Sequence, residues 1–263
     1  MDAQPPEAWP PVVQPATDPL SSPPQRLAFL HIPKTGGTAL TAALAKRWPR
    51  LRVVEGVQTV ELLPADLAAQ FDLVAGHFYA FQLAHPAFRG FAPVTILREP
   101  FARLLSSWRY MRHCVAIGIR PTPGMAFAAK VDFPEYAFSG AAAADRHGHL
   151  MHLGLDSFAE APVTPLGVLL ERALRRLRGM RVGVTEELPL FLGHLAAEAG
   201  CTGPVALGRL QVTEGAEPDG LSAVQRATLR EVMAPDYALY DAAREMMLRR
   251  VAAGPPPVPV TMG

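Results

Sequence analysis

The chain has 263 residues, 49% of them hydrophobic, with 25 Lys+Arg against 24 Asp+Glu and a formal net charge of +1. That apolar share and length suit one large core in one or at most two domains. Charged residues make up only 19% and nearly cancel, which excludes a global field that would gather nucleic acid or hold an anionic membrane surface, so any anion site has to be local.

Residues 1–25 are rich in proline, with pairs beginning at Pro5, Pro10 and Pro23, and carry no apolar periodicity; a disordered arm is expected there. Residues 27–32 are an apolar run of strand length that Pro33 stops. Gly36-Gly37 then allow a tight turn with unobstructed amides, and Thr38 stands where a helix N-cap belongs, ahead of an alanine- and leucine-rich helix that ends near Trp48. Free amides and the positive end of a helix dipole make this stretch a phosphate-binding loop. Its lysine, Lys34, precedes the glycines, so the common nucleotide motif GxxxxGK[ST] is not matched. Lysine occurs elsewhere only at Lys46 and Lys130, so this chain otherwise supplies positive charge as arginine.

The order strand, helix, strand is expected over 51–57, 64–70 and 71–75, a βαβ alternation. The third of these strands runs into Gly76-His77-Phe78-Tyr79, which puts a histidine at a strand's carboxyl end, where open α/β sheets bind ligands. A fourth strand over 92–97 ends in Arg98-Glu99-Pro100. Pro100 suits the first turn of a helix, Leu104 and Leu105 give that helix a core face, and Arg103, Ser106 and Ser107 are spaced to share a side.

Breakers make 113–132 read as irregular, and 133–138 as a short helix. His147, His149 and His152 invite a zinc reading, but no cysteine or HExxH spacing accompanies them; a mobile loop over 141–152 is expected instead. Residues 164–177 form a helix with leucines at core spacing and a solvated face of Arg172, Arg175, Arg176 and Arg178. A fifth strand over 181–184, a helix ending at Ala199, closing helices over 221–233 and 237–251, and a proline-rich tail over 254–263 complete the pattern. Cys114 and Cys201 form no CxxC or metal pattern, so free thiols in a reducing compartment are expected, with a bridge left open by spacing. No run approaches the roughly 20 apolar residues of a membrane span and no signal sequence is evident, which makes the cytoplasm the expected location.

His31-Ile32-Pro33-Lys34-Thr35-Gly36-Gly37-Thr38 resembles the loop with which carbohydrate sulfotransferases bind the 5'-phosphosulfate of PAPS (3'-phosphoadenosine 5'-phosphosulfate). The stretch from Leu97 to Trp108 looks like their LRxPxxRxxSxY element for the 3'-phosphate, with Arg98 and Ser106 on the matching positions, Glu99 in place of the usual aspartate and Trp108 in the aromatic position. Gly76-His77 is similar to the Gly-His of glycan 2-O-sulfotransferases, whose histidine is their proposed base. The segments VGVTEEL and DYALYDAAREMM are also family-like, and Glu186 in the first is an alternative base.

The resemblance, to the heparan sulfate 2-O-sulfotransferase-like group, spans residues 26–251. It implies a three-layer, P-loop-like parallel sheet flanked by helices, with a helical insertion, in one domain over 26–253. It implies PAPS as sulfuryl donor and PAP as product without a metal, and a hydroxyl-bearing acceptor, a glycan or glycolipid. Lys34, Thr35, Gly36, Gly37, Thr38, Arg98 and Ser106 would hold the nucleotide, with Lys34 and His77 catalytic. Asp145-Arg146-His147-Gly148 departs from the family's Asp-Asn-Leu-Gln-like stretch, which leaves acceptor specificity open. The animal members are Golgi membrane proteins, unlike what is expected here. Two rivals stand beside this reading. An ATP-dependent phosphotransferase normally needs a strand-end aspartate for Mg²⁺, where this chain has Arg98; a non-catalytic nucleotide-binding protein would keep the site and lack the chemistry.

Overall fold

The computed structural model describes residues 25–54, 57–208 and 219–262, so the arm expected over 1–25 lies, but for Gln25, outside the described residues. In chain order the elements are β1 (Leu27–Leu30), α1 (Gly37–Ala45), β2 (Leu51–Val54), α2 (Leu67–Gln70), β3 (Leu73–Gly76), β4 (Ala92–Leu97), α3 (Pro100–Ala116), α4 (Pro123–Ala128), α5 (Phe133–Phe138), α6 (Ala143–Arg146), α7 (Gly148–Gly154), α8 (Leu166–Leu177), β5 (Arg181–Val184), α9 (Leu188–Glu198), β6 (Val205–Leu207), α10 (Ala223–Val232), α11 (Ala234–Ala253) and β7 (Val260–Met262).

Five strands form one parallel sheet in the order β2-β3-β1-β4-β5. β1 and β3 are buried along their whole length, as strands covered on both faces must be, and this is why they read as continuous apolar runs rather than alternating ones. From β1 the chain goes to one edge and returns through β3, then places β4 and β5 on the other side of β1. The strand order therefore reverses beside β1, and the crevice at the carboxyl ends of β1, β3 and β4 is where an open α/β sheet takes a ligand.

The core spans both faces of the sheet. Leu40, Leu44 and Trp48 pack with the strands, and so do Leu169 and Leu177 of α8, Phe191 and Leu192 of α9, and Leu239 and Met247 of α11. Between β4 and β5 the chain is helical, from α3 to α8. This insertion has a core of its own, in which Leu104 and Trp108 of α3 meet Phe133 and Tyr136 of α5 and Leu229 of α10.

Several local expectations are corrected. The second strand covers Leu51–Val54, residues 55–56 of the expected 51–57 lie outside the described residues and Val57 begins a 3-10 turn, while β3 begins two residues late and includes Gly76, because Gly76 pairs with both Leu30 and Val54. A Cβ at Gly76 would lie 2.2 Å from the Val54 carbonyl oxygen, so only glycine closes the sheet there. The irregular stretch 113–132 holds the end of α3 and all of α4, which Thr122 caps by accepting the Met125 N–H at 3.3 Å. Residues 141–152 run through a 3-10 turn, α6 and the start of α7 where a mobile loop was expected, pinned by the buried His147 and His149. The proline-rich tail docks: β7 pairs with β6 and Val258 donates to the Gly193 carbonyl at 3.1 Å. Cys114 and Cys201 are free thiols. No helix among the described residues is long and apolar enough to cross a membrane.

Candidate functional site

The loop after β1 bends through two left-handed residues, Lys34 (φ 69°) and Gly36 (φ 84°). A lysine there is strained relative to ordinary backbone, and surrounding bonds hold it. The buried Thr35 hydroxyl donates to the Ile32 carbonyl at 2.8 Å, and the Thr185 hydroxyl lies 2.6 Å from the Thr35 carbonyl and 3.0 Å from that of Leu97. Thr38 is not the N-cap. Gly36 occupies that position without a side-chain cap, and α1 starts two residues earlier than its threonine suggests. The first amides of α1 therefore have no capping oxygen, and the residues that carry them line a cavity. Gly37 is dictated by packing, since a Cβ there would come within 2.0 Å of the His31 ring.

Above this loop lies a cavity of about 480 Å³. It is lined by Lys34, Gly36, Gly37 and Thr38 from the loop, His77 from the end of β3, Arg98 from the end of β4, and Ser106 from α3. Thr35 supports the loop from behind. Arg98 is fixed at both ends: its guanidinium donates to the Lys34 carbonyl at 3.2 Å, and its backbone N–H donates to Nε2 of the fully buried His149 at 3.3 Å. His149 therefore carries its proton on Nδ1, facing Asp236, whose other oxygen lies 2.8 Å from His147 Nδ1. Burial keeps His149 neutral, holding its pKa well below the usual histidine value, and pushes the Asp236 carboxyl up.

Arg103 does not share a side with Ser106. It is buried and pairs with Asp145 at 3.1 Å, while Tyr136 donates to the other Asp145 oxygen at 2.8 Å. The cavity side of α3 is Ala102, Leu105, Ser106, Arg109 and Tyr110, residues one helical turn apart, which leaves Ser107 off it and brings Leu105, expected on the core face, to the cavity as well. Motif reasoning passed over several lining residues, among them the polar His31, Arg109, Tyr110 and Thr185; counting one turn on from Ser106 finds Arg109 and Tyr110.

His77 Nδ1 lies 2.8 Å from the His31 carbonyl oxygen, which only accepts, so the proton is on Nδ1 and Nε2 keeps an open lone pair. Burial lowers the His77 pKa and the Lys34 charge adds to this, against the bond to His31. His31, whose ring is tilted by 34° against that of His77 at 4.4 Å, is lowered to about 3 by burial and by its neighbour. Lys34 Nζ rests 3.9 Å from the centre of the Tyr110 ring, and burial, with Arg98 next, lowers its pKa too.

No protein-family model matches this chain, and no curated protein matches it.

The remaining candidates fall elsewhere. Glu186 is not a lining residue: one carboxylate oxygen accepts the Glu99 N–H at 3.0 Å and the other accepts the Tyr240 hydroxyl at 2.9 Å, so it ties the end of β5 to α3 and α11. Glu99 is likewise engaged, accepting from the Ala102 N–H at 2.6 Å and from the Tyr237 hydroxyl. The three histidines of 141–152 are split, His147 and His149 turning to Asp236 while His152 stacks on Tyr79 at 4.5 Å. Among the described residues no three His, Cys, Asp or Glu side chains converge on a metal position.

Proposed function

We propose that the protein is a PAPS-dependent sulfotransferase that sulfates a hydroxyl of a carbohydrate acceptor. One observation carries this reading: a loop of helix-start amides with Lys34, a second cationic grip in Arg98 and Ser106, and a neutral histidine with an open Nε2 all line a single cavity. Its volume falls within the roughly 300–1,000 Å³ of small-molecule sites. The residues fit a ligand with more than one anionic group, since Lys34 and Arg98 come from adjacent strand ends and Ser106 and Arg109 carry the polar lining on along α3. The strand order around β1 and the loop that follows it support a P-loop-like sheet, and the expected cytoplasmic location belongs to the same reading.

When bound, PAPS supplies the sulfuryl group, whose bond to the 5'-phosphate oxygen breaks as the acceptor oxygen bonds to sulfur. His77 Nε2 takes the acceptor's proton, and its lowered pKa keeps it in the accepting form at neutral pH. The amides of Gly37 and Thr38 hold the 5'-phosphate. Lys34 leaves Tyr110 to meet the negative charge that develops on the bridging oxygen. Arg98 and Ser106 hold the 3'-phosphate and so distinguish PAP from ADP.

The test is calorimetry in EDTA with PAP and ADP. PAP is expected to bind far more tightly, and Arg98→Ala to weaken it by about 1.5 to 3 kcal/mol, the usual worth of a hydrogen bond to a charged group. Equal affinity for the two nucleotides overturns the assignment.

A further inference from the structure

Tyr79 lies two residues beyond His77, and its ring belongs to an aromatic group that reaches toward His77 through His152, which feels the His77 charge. Tyr79 and Phe158 meet edge-on at 4.9 Å, Phe81 and Phe158 at 5.0 Å, and His152 stacks flat on Tyr79. Phe158 sits on a short turn between α7 and α8 and is 44% exposed, while Tyr79 and Phe81 are partly buried behind it. Such a group offers ring faces and edges to a ligand with an apolar side, as a sugar ring has.

Charge around it cancels. Phe158 is framed by Asp156 and Glu160, and Arg172 spans both carboxylates at 3.2 and 3.0 Å. Arg176 donates to the carbonyls of Leu153 and Leu155 at 2.7 and 2.6 Å and pairs with Asp156. The arginines of α8 that reach this turn are thus occupied. His31 and His152 are held neutral by burial, lowered to about 3 and about 4. Among the described residues, the cations lining the cavity are Lys34, Arg98 and Arg109, all on the loop and α3 side. A polyanionic chain recognised here would need unoccupied cations on the His77 side to meet its charges.

Building on the sulfotransferase reading, we infer that the acceptor is an uncharged glycan whose sugar ring packs on the exposed Phe158, with Tyr79 behind it, not a polyanionic one. Its hydroxyl then points toward His77 Nε2, and the occupied arginines serve the turn that carries Phe158.

The experiment is calorimetry on the protein saturated with PAP, using neutral mono- and disaccharides and aryl glycosides alongside uronate-containing oligosaccharides of matching length. Saturable binding by neutral members is expected, nearly independent of salt and about three- to tenfold weaker in Phe158→Ala, with PAP affinity unchanged. Preference for the uronates, absence of binding by every neutral probe, or an unchanged affinity in Phe158→Ala overturns the inference. Failure of the underlying reading looks different, because the wild-type protein then shows no preference for PAP over ADP before any acceptor is added.

Discussion

Replacing His149 tests how the end of β4 is held. His149 is fully buried and its Nε2 accepts the Arg98 N–H at 3.3 Å, a bond that no sheet partner replaces, since Leu97 is the last residue of β4 paired with β5. Leucine fills nearly the same volume, so the cavity contribution is small and the loss is chiefly an orphaned donor. Leaving such a group unsatisfied costs about 1 to 3 kcal/mol, and the length of this bond argues for about 1 to 2. Against a typical stability of roughly 5 to 15 kcal/mol that is readily measured as a shift of the urea midpoint. Glutamine carries an acceptor oxygen near the Nε2 position, so His149→Gln is expected to recover most of the stability that His149→Leu loses. Displacing the Arg98 end should also weaken PAP more than ADP. A leucine variant within about 0.5 kcal/mol of wild type, or a glutamine variant no better than leucine, refutes the reasoning.

Lys34→Ala is expected to lower turnover more than PAP affinity, because the charge that Lys34 meets develops during transfer, and Lys34→Arg to restore it only in part; equal losses in both would make the lysine an ordinary ground-state binder. His77→Ala should keep the fold and PAP binding while turnover falls on the order of a hundredfold, and the wild-type rate should rise with pH along a limb lying below the ordinary histidine value, since burial lowers the His77 pKa. Glu186→Gln, by contrast, should stay active, its carboxylate being engaged by Glu99 and Tyr240; an inactive glutamate variant beside an active histidine variant moves the base to the end of β5. For acid stability, the native pKa values of His31 and His152, about 3 and about 4, lie below the unfolded value, so the unfolded chain binds protons the native one does not and stability falls as pH drops below about 6.5. The slope is up to about 1.4 kcal/mol per pH unit for each histidine, opposed in sign by the raised Asp236; urea unfolding that is flat from pH 7 to 5 contradicts it.

By itself the sequence determined the sheet strands and the two cavity-lining segments, because those signals are local. An apolar run stopped by Pro33, a Gly-Gly turn, and a strand passing into Arg98-Glu99-Pro100 each depend on neighbours a few residues away; the last stands where it was expected, the first strand ends two residues early at Leu30, and the helix after the turn begins at Gly37. What needed the tertiary structure was every choice made by packing between distant segments. Arg103 and Arg109 lie on the same helix, but only the burial of α3 against Tyr136 and Asp145 turns the first inward and leaves the second at the cavity. His147 and His149 looked like loop residues because their partner, Asp236, is 89 positions from His147. The tail became a strand only through β6, a partner of three residues with no periodicity to announce it. Glu186, equally plausible as a base on paper, is drawn away from the cavity by Tyr240, whose position on α11 is set by the core beneath it.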